Sequence, residues 1–134
     1  MHALTPSPLL RFALRLDGVV SFAAGLATCA GYASLEGVFG APASVIFAIG
    51  VFMLAYGAAI TWLSTRARID LRLVWIVAVG NLVWGIDSVL LAGSGWIAAT
   101  TLGVALILGQ AVAVVGFSAL QYLGLRQSRA LVPA

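Results

Sequence analysis

Charge is scarce in this chain. Only 8% of its 134 residues are charged, while 63% are hydrophobic; a soluble domain carries about 25% charged residues. Such a chain cannot cover a water-facing surface, so it belongs in a bilayer. Lysine is absent, and the seven basic residues are Arg11, Arg15, Arg66, Arg68, Arg72, Arg126 and Arg129. They stand between or beyond apolar runs, so the pI of about 9.8 is a topology signal. Nucleic acid is excluded as a partner, because its recognition needs basic residues clustered on a folded face.

Cys29 is the single cysteine, which excludes an intrachain disulfide and any multi-thiolate metal or iron-sulfur site. His2 is the single histidine and lies in the N-terminal tail, leaving no imidazole inside a span to hold haem or zinc. There is no histidine beside a serine or cysteine nucleophile, no paired acid and base, and no phosphate-cradling loop followed by lysine. The chain is therefore expected not to be an enzyme and to carry no cofactor or metal.

What is present is a set of long apolar runs. The expected architecture is a four-helix antiparallel transmembrane bundle forming one domain over 1–134, with spans at about 14–35, 43–65, 72–92 and 97–122. Short tails at 1–10 and 126–134 flank it, the first with two prolines and no helical stripe, which reads as loosely ordered. Arginines followed by an apolar run also fit a signal peptide, and Leu26-Ala27-Thr28-Cys29 approaches a lipoprotein box. The run is long for a signal peptide and lacks a small-x-small cleavage site, and Thr28 stands where the box takes Gly, Ala or Ser; an uncleaved helix is expected.

Small residues recur at four-residue spacing as Ser21, Gly25 and Cys29 in the first span and as Ala105, Gly109 and Ala113 in the fourth. Such ridges let helices approach closely, within the chain or between copies. Glu36 to Pro42 is a turn, Arg66 to Arg72 is the most charged stretch, and Gly93-Ser94-Gly95 makes a tight hairpin between the third and fourth spans. All seven arginines fall on the side of the termini and the central loop. That places both termini in the cytoplasm of a bacterial inner-membrane protein, with Trp62, Trp75 and Tyr122 at the inner interface and Trp96 at the outer one.

The polar residues inside the apolar runs are the candidate site. On the third span Asp87, Gly80, Trp84, Ser88 and Asn81 fall within about a third of the helix circumference, an arc expected to face protein. Asp87 has no arginine, lysine or histidine at its depth, so it must be neutral, hydrated or held by neutral partners. By depth these are Tyr32, Thr28, Thr100 and Thr101, and Trp84 offers a cation-π wall one turn deeper. Asn81 and Gln110 share the midplane and are expected to pair as interhelical amides. Asp17, near the cytoplasmic edge, is expected to form an ion pair with Arg72 that locks the first and third helices.

From this pattern the expected function is binding or transport of a proton, a cation or a cationic or apolar small molecule. Its ligand site would be Asp87, Trp84, Asn81, Gln110, Tyr32 and Thr100. The alternative is a non-catalytic accessory subunit of a larger membrane complex. A single four-helix chain has little room for a pore, so transport would call for a homo-oligomer.

Overall fold

A computed structural model describes residues 3–130. It is all-helical apart from one small strand pair: α1 (Pro8–Phe39), α2 (Ala43–Ser64), α3 (Leu71–Ser94) and α4 (Thr101–Ala130), with β1 (Ala3–Leu4) and β2 (Ile69–Asp70). All four helices are long and apolar enough to cross a membrane. Around the bundle the order is α2, α1, α4, α3. Residues 3–7, the end of α4 and the α2–α3 loop lie at one end, called here the terminal end; the α1–α2 and α3–α4 connections form the hairpin end.

Helix α1 begins earlier than its apolar run. Pro8 occupies the first turn, where its missing N–H costs nothing, and Ser7 caps the helix by accepting from the Leu10 N–H at 3.2 Å. Arg11 and Arg15 therefore both lie inside the helix. At the hairpin end α1 runs on through Glu36 to Phe39 and stops where Gly40 turns into the left-handed region at φ 63°. Gly95 closes α3 in the same way at φ 73°.

Residues 3–10 are not a loose tail. β1 pairs antiparallel with β2, Ala3 opposite Asp70 and Leu4 opposite Ile69. The Ser7 N–H donates to Ser128 Oγ at 2.8 Å and its hydroxyl donates to the Gly124 carbonyl at 2.8 Å, so the N-terminal segment is fastened to α4. Apolar side chains explain why: Leu4, Leu10, Leu14, Ile69, Val74 and Leu125 bury together and close the terminal end. Residues 126–130 continue α4, and the expected tail over 131–134, like His2, lies outside the described residues.

Arg11 fastens the α2–α3 loop. Its Nη1 donates at 2.9 Å both to the Ser64 carbonyl and to the Arg66 carbonyl, supplying partners for the open end of α2. Arg11→Ala is expected to lower stability by about 1 kcal/mol, since charged hydrogen bonds to a helix end are partly screened here. Limited proteolysis in detergent should then cut faster between Thr65 and Asp70; an unchanged cleavage rate would show that the loop holds itself.

The tightest packing is between α1 and α2. A Cβ at Gly25 would lie 2.8 Å from Leu54 N and 2.9 Å from Gly50 O, and one at Gly50 would lie 2.7 Å from Cys29 Sγ. The first small-residue ridge is thus a contact face. The second is not: Ala105, Gly109 and Ala113 are exposed, and nothing stands within 4 Å of a Cβ at Gly109. α2 and α3 meet mainly through side chains, and this leaves a seam between them.

Candidate functional site

The seam is bridged where each helix brings one polar side chain to a common level. Asp17 of α1, Tyr56 of α2, Asn81 of α3 and Gln121 of α4 each lie about 12–15 Å along their helices from the terminal end at ~1.5 Å per residue. That level is two to three turns in from the terminal end of each helix.

Asp17 is the centre of the cluster and is 0% exposed. Its Oδ2 accepts three hydrogen bonds, from the Tyr56 hydroxyl at 2.8 Å, Asn81 Nδ2 at 2.7 Å and Gln121 Nε2 at 2.8 Å. Its Oδ1 accepts from Ser21 Oγ, one turn along α1, at 3.2 Å. Asn81 Nδ2 also donates to Gln121 Oε1 at 3.3 Å, and the Tyr56 oxygen stands 3.2 Å from Asn81 Oδ1. Every group facing the carboxylate is a neutral donor. Together they take the place of a hydration shell in a region without water.

The ion pair expected between Asp17 and Arg72 does not form. Arg72 is exposed at the start of α3, and its backbone N–H donates to Asp70 Oδ1 at 2.8 Å. The reason lies in the start of α1: with Pro8 at its head, Asp17 sits more than two turns inside the helix, beyond the reach of a side chain rooted at the first turn of α3.

Asp87 lies outside the bundle. The buried residues of α3 are Val74, Val77, Ala78, Asn81, Gly85 and Ser88, an arc centred about 100° on from Gly80. Trp84 stands at its edge, and Gly80 and Asp87 lie on the exposed side. The polar arc read from the sequence therefore straddles the edge between the buried and the exposed face of α3. Tyr32 and Thr100 are not gathered around Asp87. The Tyr32 ring packs edge-on against Phe47 of α2 at 5.2 Å. Thr100 opens α4, its Oγ1 accepting from the Gly103 N–H at 3.1 Å and donating to the Val38 carbonyl at 3.0 Å.

Asn81 and Gln110 do not pair. Gln110 belongs to a second cluster nearer the hairpin end, where its Oε1 accepts from Trp84 Nε1 at 3.0 Å and its Nε2 donates to Ser88 Oγ at 2.7 Å. This holds the Trp84 ring in the seam, stacked on Phe52 at 5.9 Å; Phe52 in turn stacks on Tyr56 at 6.1 Å. Above the stack a groove of about 420 Å³, lined by Ser44, Val45, Ala48, Ile49, Phe52 and Trp84, opens to the outside of the bundle. An aromatic column thus runs from that groove to the hydroxyl that holds Asp17.

Gln121 and Tyr56 are members that sequence reasoning did not assign to the site. Gln121 carries a usable signal, because it follows Gln110 by three helical turns on nearly the same face of α4. Comparison with protein-family models, with curated proteins and with solved structures finds no match to this chain.

Proposed function

We propose that this is a small bacterial inner-membrane protein, with both termini cytoplasmic, that binds or moves a proton or a cationic small molecule, and that Asp17 is its working acid. The observation that supports this reading is a fully buried carboxylate held by a donor from each of the four helices, with no cation among its hydrogen-bond partners. Intramembrane acids without an ion-pair partner are expensive to keep, and function is the usual reason.

The ionised acid suits the present hydrogen bonds, since all its neighbours donate. A protonated Asp17 would need an acceptor, and rotation of either the Asn81 or the Gln121 amide would supply one. Proton uptake would then rearrange contacts on all four helices at once, which couples the acid to helix packing. The apolar cluster at the terminal end blocks approach from that side, so a ligand would come through the α2–α3 groove past Phe52 and Tyr56. The exposed ridge of Ala105, Gly109 and Ala113 offers a face for a homo-oligomer or a larger complex.

Purified protein in liposomes loaded with a pH dye tests the reading. Wild type should take up protons, or bind tetraphenylphosphonium as a model cation. Asp17→Asn should reduce either activity about tenfold or more while Asp87→Asn leaves it near wild type. The reverse ranking of the two variants would move the site to Asp87, and inactivity of wild type in both assays would end the proposal.

A second reading, an accessory subunit whose polar cluster only fixes packing, is favoured by one observation: no buried polar side-chain atom among the described residues lacks a hydrogen-bond partner. In that case Asp17→Asn would lower thermal stability in detergent and change no binding.

A further inference from the structure

A second groove, of about 560 Å³, runs along the outward face of α3 from Trp75 past Ile76, Val79, Gly80 and Val83, and Trp84 and Asp87 line its far end. Gly80 gives it depth, since nothing stands within 4 Å of where its Cβ would be. At its terminal end the Trp75 ring packs on Tyr122 of α4 with centroids 6.0 Å apart. Arg72 precedes Trp75 by about one turn on α3, and Arg126 follows Tyr122 by about one turn on α4. Both arginines are exposed, and among the described residues neither guanidinium has a carboxylate or carbonyl partner. Asp70, the nearby acid, accepts from the Arg72 backbone N–H through Oδ1 as the cap of α3.

We propose that this groove seats an anionic phospholipid, with its phosphate between Arg72 and Arg126 and one acyl chain lying along Ile76, Val79 and Val83. Charge decides the occupant. Two unpaired guanidiniums stand at headgroup level above an aromatic pair of the kind that marks a membrane interface, and the floor beyond them is apolar. Length agrees: Arg72 to Val83 is a rise of about 16 Å, against about 15 Å for one leaflet of the hydrocarbon core. Asp87 lines the far end of the groove, about 22 Å of helix rise from Arg72 and so beyond that length. A partner helix would instead have to bring a cation to Asp87.

Native mass spectrometry of the full chain in detergent, with phosphatidylglycerol or phosphatidylcholine added, tests this. Wild type should retain phosphatidylglycerol in preference to phosphatidylcholine. Arg72→Gln with Arg126→Gln should weaken that retention about tenfold, whereas Arg66→Gln with Arg68→Gln, an equal loss of charge elsewhere on the rim, should change it less than about twofold. Val79→Trp fills the groove without touching charge and should also weaken retention. Equal loss from the two arginine pairs would mean diffuse attraction to the rim, and full retention in Val79→Trp would mean that no chain occupies the groove. Either result overturns the proposal, as does a wild type that does not discriminate between the two lipids.

Discussion

Replacing Asp17 with leucine is expected to be the most destabilising single change in the bundle, at about 3 kcal/mol in reversible unfolding from mixed micelles. The leucine removes a charge but leaves the Tyr56 hydroxyl and the Asn81 and Gln121 amides buried, with the oxygen they share gone. Each orphaned donor costs about 1–3 kcal/mol in a protein interior, and less where neighbours re-pair, as Asn81 and Gln121 can with each other. Asp17→Asn keeps one acceptor oxygen and should cost only about 1 kcal/mol.

A second arm makes the point sharper. Combining Asp17→Leu with Tyr56→Phe, Asn81→Leu and Gln121→Leu removes donors and acceptor together, and an apolar replacement of a complete buried polar set is often neutral or better. The fourfold variant should therefore regain most of the stability lost by the single one. A fourfold variant no more stable than Asp17→Leu would show that the cluster specifies the packing itself. A stable fourfold variant without proton or cation binding would assign the cluster to function.

The helices were legible in the sequence because apolar length and flanking arginines are local signals, and four runs of the required length leave little freedom. The site was less legible, for two physical reasons. The apolar run alone puts Asp17 at the edge of its span, but the Ser7 cap and Pro8 start α1 among residues that look like a polar tail, and Asp17 thereby lies more than two turns inside the helix. Facing was taken from polarity alone, and on α3 polar residues occur on both sides of the buried arc, so Asp87 and Asn81 looked equivalent although only Asn81 points inward. In the sequence Tyr56 is only an aromatic near the middle of its apolar run. Its role depends on α1 lying close enough to α2 for a phenol to reach a carboxylate, which is a fact of packing and not of either helix alone.

That closeness rests on glycine, and Gly57→Ala is the second large effect expected. A Cβ at Gly57 would stand 2.5 Å from Phe22 N, 2.6 Å from Gly18 O and 2.8 Å from Phe22 Cα. All three are backbone atoms, so no rotamer change relieves the clash and α1 must move away by about 1 Å; overpacking of this kind costs about 1–3 kcal/mol. Alanine's better helix propensity returns at most about 1 kcal/mol. The shift also lengthens the bond from Tyr56, the adjacent residue, to Asp17, which is 2.8 Å and has no slack at the far side because Asn81 and Gln121 hold the same oxygen. Gly57→Ala should thus lose stability by about 2 kcal/mol and carry with it part of the Asp17 cluster, so that a further Tyr56→Phe costs less than it does in wild type. Gly116→Ala, where nothing lies within 4 Å, is the control and should be neutral or slightly stabilising. If the two alanines prove equally mild in the same unfolding assay, α1 and α2 are not held at the spacing that brings Tyr56 to Asp17.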